Sequence, residues 1–247
     1  MSPESSVLTP DERDELELTA LSHELLEEQY QNLEQQHEVA ALGMWAFLAT
    51  EVLFFGTLFL GLITYRYLYP LEFELATVRL NWAVGCVNTV VLLISSVFMV
   101  LAVHACRLGE NRRAMHYLLV TALLGCAFLV FKGYEYYTDW RENLIPGWRF
   151  EDAEWIALGL RPEQVPHVKL FLLFYWFMTP LHALHVTIGI AVVLLMAELT
   201  RRGRFSPVYY SPVDVTGLYW HFVDIVFIFL FPLLYLLGTH GVSDLHF

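Results

Sequence analysis

Two acidic side chains sit inside runs of sequence that are otherwise apolar enough for lipid. Asp224 lies in GLYWHFVDIVFIFLFPLLYLLG, Gly217 to Gly238, with His221 three residues before it. Glu51 interrupts the run from Ala40 to Tyr65, and His182 and His185 lie in the run from Leu170 to Ala197. Carboxyl and imidazole groups are the side chains that carry protons and ligate metals. An ionised carboxylate in hydrocarbon costs several kcal/mol unless it is paired or neutralised. One reading is therefore a proton or ion carrier. The other is a buried hydrogen-bonded knot of Glu51, His182, His185, His221 and Asp224 that ties the first, fourth and fifth apolar runs together. The knot is the expectation here, because His221 and Asp224 share a helix face and a satisfied buried network specifies one helix arrangement. His182 and His185 have a spacing that suits two metal ligands, but no Cys or carboxylate motif completes a set. No metal site is expected.

The elements that must position these groups are helices. The 247-residue chain is 57 % hydrophobic and 16 % charged, against about 45–50 % and about 25 % in a soluble domain. Five apolar runs can be traced: Ala40–Tyr65, Asn81–Cys106, Ala114–Phe131 (continuing toward Tyr137), Leu170–Ala197 and Val215–Leu237. Each can cross a hydrocarbon core of about 30 Å. They are continuous rather than alternating, which excludes a barrel. The predicted fold is an all-α integral membrane bundle of five transmembrane helices over residues 40–247. Residues 1–39 form a separate acidic segment. Thr9-Pro10-Asp11-Glu12 reads as a capping box with proline at the first helical position, and Leu18, Leu21 and Leu25 follow at helical spacing. That segment is an acidic amphipathic helix or a partly disordered acidic tail, and no cleavable signal peptide is expected from it.

Charge places the ends. The net charge of −12 is concentrated: residues 1–38 hold eleven acids and one base. No basic face exists for nucleic acid. Three arginines lie in Arg107–Arg113 and three more in Arg201–Arg204. Both clusters fall on the side of the N-terminus, which predicts N-in, C-out. Arg201, Arg202 and Arg204 are candidate contacts for phospholipid headgroups. Residues 132–169 read as one long extracytoplasmic loop with Trp140, Trp148 and Trp155 as headgroup-level anchors and a short interfacial helix near Asp152–Gly159. Asn81, Asn88 and Ser95 recur every seven residues and read as a packing stripe. Cys86, Cys106 and Cys126 are isolated and read as packing residues.

Several segments together resemble a known family. Tyr219-Trp220-His221-Phe222-Val223-Asp224 is similar to the last-helix motif of cytochrome c oxidase subunit III. Thr50-Glu51-Val52-Leu53-Phe54-Phe55 resembles its early-helix motif. Asn88 to Leu93, Glu135-Tyr136-Tyr137 and His182 to Gly189 resemble three further segments, with Ala183 where glycine is usual. Their order holds from about Gly43 to Gly238. The resemblance implies a non-catalytic accessory subunit of a haem-copper terminal oxidase in a bacterial cytoplasmic membrane. Such a subunit packs on subunit I, holds phospholipid, supports proton uptake and carries no cofactor of its own; haem and copper lie in partner subunits. Glu51 matches the family's carbodiimide-reactive carboxylate. This chain lacks a counterpart of the family's first two helices. A cytochrome c oxidase is the leading reading, with a cytochrome c domain as a possible partner of the loop 132–169. A quinol oxidase or a nitric oxide reductase partner is the alternative. A transporter is disfavoured, since no internal repeat is present.

Overall fold

The computed structural model describes residues 33–147, 150–207 and 209–236. The expected capping box at Thr9 and its acidic helix lie outside these residues. Seven α-helices are described: α1 Leu33–Leu68, α2 Pro70–Val78, α3 Trp82–Arg107, α4 Asn111–Arg141, α5 Asp152–Ala157, α6 Val165–Arg201 and α7 Ser211–Phe231. A π-helical turn, Pro232–Leu236, extends α7. No strand occurs among the described residues. Helices α1, α3, α4, α6 and α7 are long and apolar enough to cross a membrane, the last together with its π turn. The chain is an all-α membrane bundle.

The helices begin and end where local chemistry requires it. Asn81 caps α3 by accepting from the Val84 backbone N–H at 3.3 Å. Pro70, Pro166 and Pro212 occupy first-turn positions of α2, α6 and α7, where no intrahelical donor is lost. Gly109, at φ 74°, makes the tight turn from α3 into α4. Helices α1 and α6 run to 36 and 37 residues, about 54 Å each, so both project beyond a core of about 30 Å. The first span thus starts by Leu33, ahead of the expected boundary at residue 40.

The expected long loop is shorter than the sequence implied. Residues 132–141 belong to α4 and 165–169 to α6, leaving 142–164 as the connection. The helix runs past Lys132, as the aromatic stretch toward Tyr137 indicates, and on to Arg141; Lys132 is tolerated inside it because it is paired internally. Within the connection, α5 occupies the position expected of a short interfacial helix. Its Trp155 is not a headgroup anchor: it is 2 % exposed, stacked on Phe150 and covered by Arg79 at 5.5 Å. Trp140 does face outward. The helix α2, which no sequence pattern had indicated, seats Phe73 and Ala76 against α6.

Helix α7 is central and α1 is peripheral. Of their most apolar windows, 56 % is buried in the α7 span and 17 % in α1. The centre is Trp220. Its Nε1–H donates to Ser95 Oγ of α3 at 3.1 Å, and its ring lies between Gly125 of α4 and Gly189 of α6. A Cβ on Gly125 would stand 2.8 Å from the Trp220 ring, and one on Gly189 would stand 3.1 Å from it. Of the expected seven-residue packing stripe, Ser95 and Asn88 are buried, whereas Asn81 is exposed and serves as the cap of α3. The turns that follow α3 and α6 lie at the same end as the start of α1. There Arg107 pairs with Asp214 at 2.9 Å, His37 approaches the same carboxylate at 3.8 Å, and Asn111 donates to the Phe205 carbonyl.

Gly125→Ala should destabilise the bundle by about 1–3 kcal/mol, because the rigid Trp220 ring has nowhere to retreat. Gly133→Ala, on the same helix with nothing within 4 Å, should be neutral or slightly stabilising. Thermal unfolding of the two variants in detergent checks the contrast.

Candidate functional site

The five expected members of a single polar knot fall into three separate places. Glu51 of α1 brings Oε2 within 3.3 Å of His185 Nε2 on α6, at ion-pair distance but outside hydrogen-bond geometry. The other ring nitrogen, Nδ1, lies 2.8 Å from the Leu181 carbonyl. A carbonyl only accepts, so Nδ1 carries a proton and the site facing Glu51 is Nε2. The Tyr219 hydroxyl of α7 donates to the His185 carbonyl at 3.0 Å. This junction joins α1, α6 and α7, and Phe55 closes it edge-on at 5.4 Å.

His221 and Asp224 turn the other way. His221 Nδ1 is 2.6 Å from Ser96 Oγ on α3. Asp224 is buried beside the same serine, and its Oδ2 meets no donor among the described residues. His182 joins neither group. Both its ring nitrogens are without a hydrogen-bond partner among the described residues, and it is held by Phe227, stacked at 5.2 Å, and Phe128, edge-on at 5.6 Å. The expectation of one network fails for a geometric reason. Three residues advance a helix by about 300°, so side chains at i and i+3 diverge by about 60°. His182 therefore faces α4 and α7 while His185 reaches α1. On α7, burying Trp220 against α4 and α6 fixes His221 toward α3. The two imidazoles of α6 do not converge on a shared metal.

The lipid-contact candidates are also engaged differently. Arg201 makes two hydrogen bonds to Glu198, each 2.7 Å, and Arg202 donates to the same carboxylate at 2.8 Å. Arg204 is exposed. The larger concave surface lies elsewhere. A groove of ≈430 Å³ runs between α1 and α7, lined by apolar side chains from Trp45 to Phe59 and from Leu218 to Phe229, with His221 in its wall. A second cavity of ≈260 Å³ between α3 and α7 shares Leu218 and His221 with it and ends at His104, Arg107 and Asp214.

The most heavily buried charge was missed by sequence reasoning. Lys132 is 1 % exposed. Its ammonium donates to Glu135 Oε2 at 3.0 Å and to the Tyr235 hydroxyl at 2.9 Å. It also stands 5.2–5.5 Å from the ring centres of Tyr136, Tyr175 and Tyr235. Tyr235 in turn donates to Glu135 Oε1, and Asp139 lies one turn further along, 4 % exposed. Of this cluster, Glu135 and Tyr136 were expected as family positions. The signal for the rest was the spacing of Lys132, Glu135 and Asp139, which places all three on one helix face. Tyr175 and Tyr235 carried no local signal.

Fold and site together define a multi-pass α-helical membrane protein whose polar side chains are spent on joining its own helices. The family model for cytochrome c oxidase subunit III matches residues 169–239. The chain is 30 % identical to the probable quinol oxidase subunit 3 of Staphylococcus epidermidis over 203 residues, which is 81 % of this chain and 90 % of that protein. It is 30 % identical to the protein of the same name from Staphylococcus haemolyticus, over 80 % of this chain and 88 % of that one. For the Staphylococcus aureus protein the identity is 29 %, with 81 % and 90 % covered. The chain belongs to the haem-copper oxidase subunit III family, the accessory membrane subunits of respiratory oxidase complexes.

Removing Lys132 alone leaves Glu135 charged in an apolar interior. Lys132→Met should therefore cost about 3–5 kcal/mol, and the double change Lys132→Met with Glu135→Leu should recover much of that loss. Chemical or thermal unfolding of the two variants measures the difference. A double variant no more stable than the single one would show that the pair is not a coupled unit.

Proposed function

We propose that this chain is subunit III of a quinol-oxidising haem-copper oxidase, inserted in a bacterial cytoplasmic membrane with its arginine-rich turns inside. The observation that carries the electron donor is the similarity to probable quinol oxidase subunits 3 over four fifths of this chain. The chain holds no redox centre of its own; haem and copper reside in partner subunits, and subunit I is the direct packing partner. Along α3, Val87, Val90, Ile94, Val97 and Leu101 leave a continuous apolar face exposed, which suits packing against another membrane subunit or lipid.

The cytochrome c reading has weaker support. A basic cytochrome would need free acids on the connection 142–164. Of the five acids there, three are already matched: Asp152 by Lys169 at 2.7 Å, Glu154 by Arg79, and Glu163 by Arg161 at 3.6 Å. Phospholipid is assigned to the groove between α1 and α7 rather than to Arg201 and Arg202. Its apolar walls suit an acyl chain.

Two experiments test this. A complex captured on the tagged chain from native membranes should contain a haem protein and oxidise a quinol but not reduced cytochrome c. The opposite substrate preference would restore the cytochrome c reading, and capture without any haem protein would end the accessory-subunit reading. Gly56 lines the groove and nothing lies within 4 Å of its Cβ position, so Gly56→Phe places a ring at the groove wall. It should lower the phospholipid retained per complex while leaving assembly intact; unchanged lipid content would remove the groove as the site.

A further inference from the structure

The cluster around Lys132 holds more carboxyl groups than cations. Lys132, Glu135, Asp139, Tyr175 and Tyr235 are each at most 4 % exposed. One ammonium faces two carboxyls, so with both ionised the cluster would carry one uncompensated negative charge in an apolar interior, at a cost of several kcal/mol.

The hydrogen bonds give the same count independently. The Tyr175 hydroxyl stands 3.1 Å from Glu135 Oε1 and 2.6 Å from Asp139 Oδ2. It has one proton and can donate to only one of them. Two ionised carboxylates would leave the other contact as two lone pairs facing each other. Both contacts become hydrogen bonds when one carboxyl is protonated and donates to the tyrosine oxygen. Glu135 is the member that also accepts from the ammonium and from Tyr235, which favours its ionised form. Asp139 has no cation of its own: Glu135 and, further along, Lys132 face it from α4, Glu142 from the residue that follows α4, and Tyr175 from α6.

A route to water adjoins the site. A cavity of ≈270 Å³ has Glu135 and Asp139 in its wall. Asn81, Tyr134 and Glu142 in the same wall are exposed, and Arg79 beside them is held by Glu154 of α5. The cavity lies at the end of the bundle formed by the turn after α2 and the end of α4.

From this geometry we propose that the Lys132 cluster is a proton-binding site. Asp139 is held as a carboxylic acid, donates through Tyr175 to the Glu135–Lys132 pair, and exchanges its proton with water through the cavity at that end. No bond other than O–H is made or broken, and the proton leaves to water and returns from it. This would give the accessory subunit a titratable store of its own, apart from the Glu51–His185 junction.

Infrared spectra of the full-length chain in lipid bilayers test the assignment. At neutral pH, the wild-type-minus-Asp139→Asn difference should contain one carbonyl band of a protonated carboxylic acid. That band should persist in Glu135→Gln and shift in D2O within the mixing time. Tyr175→Phe, which removes only a hydroxyl, should keep the band but move it to higher frequency. If Asp139→Asn does not fold, the Tyr175→Phe difference still reads the same acid as a band shift, and its absence would overturn the proposal. So would an Asp139→Asn difference without an acid band, or a band that Glu135→Gln removes instead. A band that fails to exchange in D2O would overturn the route through the cavity.

Discussion

The Trp220 ring fills a space that two glycines leave open, and the bundle is arranged around it. Helices in lipid gain little from burying apolar surface against each other, since the tails are equally apolar. What holds them is close contact and the polar bonds that close contact permits. Trp220 supplies both, with its ring against Gly125 and Gly189 and its N–H on Ser95. One side chain of α7 thereby fixes α3, α4 and α6. Its neighbours on α7 inherit their directions: Tyr219 reaches the His185 carbonyl, and His221 reaches Ser96. The polar contacts that sequence alone offered as a functional centre are consequences of that seating.

The same constraint explains how the bundle tolerates its charges. Glu51, Glu135 and Asp224 each lie beside an imidazole, an ammonium or a hydroxyl of a neighbouring turn or helix, so a polar group and a helix contact share one arrangement. Lys132 is the clearest case. Its stem lies among three tyrosine rings while its ammonium bonds to Glu135 and Tyr235. The cluster pins the C-terminal part of α4 and the N-terminal part of α6 to the π-helical turn after α7. The peripheral helix α1 is attached to this core through the Glu51–His185 contact and aromatic packing, which leaves the groove beside α7 open along much of its length. An accessory subunit built this way keeps two apolar faces open to neighbours, the groove and the exposed side of α3.

The sequence alone determined the helical class, the five spans and the family. Hydrocarbon thickness and backbone satisfaction leave few options for charge-free runs of this length, and five ordered motifs carried the relationship. Asp224, His221, Glu51 and His185 were rightly singled out as polar groups inside spans, because local composition reveals that. Their partners were not legible. A helix face at i and i+3 covers about 60°, enough to send His182 and His185 to different neighbours, and only the rotation imposed by Trp220 selects among them. Lys132 carried no such signal: the run could be followed past it toward Tyr137, but that its charge is interior follows from Glu135 beside it and from Tyr175 and Tyr235, 43 and 103 positions away in the chain. Contacts across such separations follow from packing, which is a property of the assembled bundle and of no single stretch.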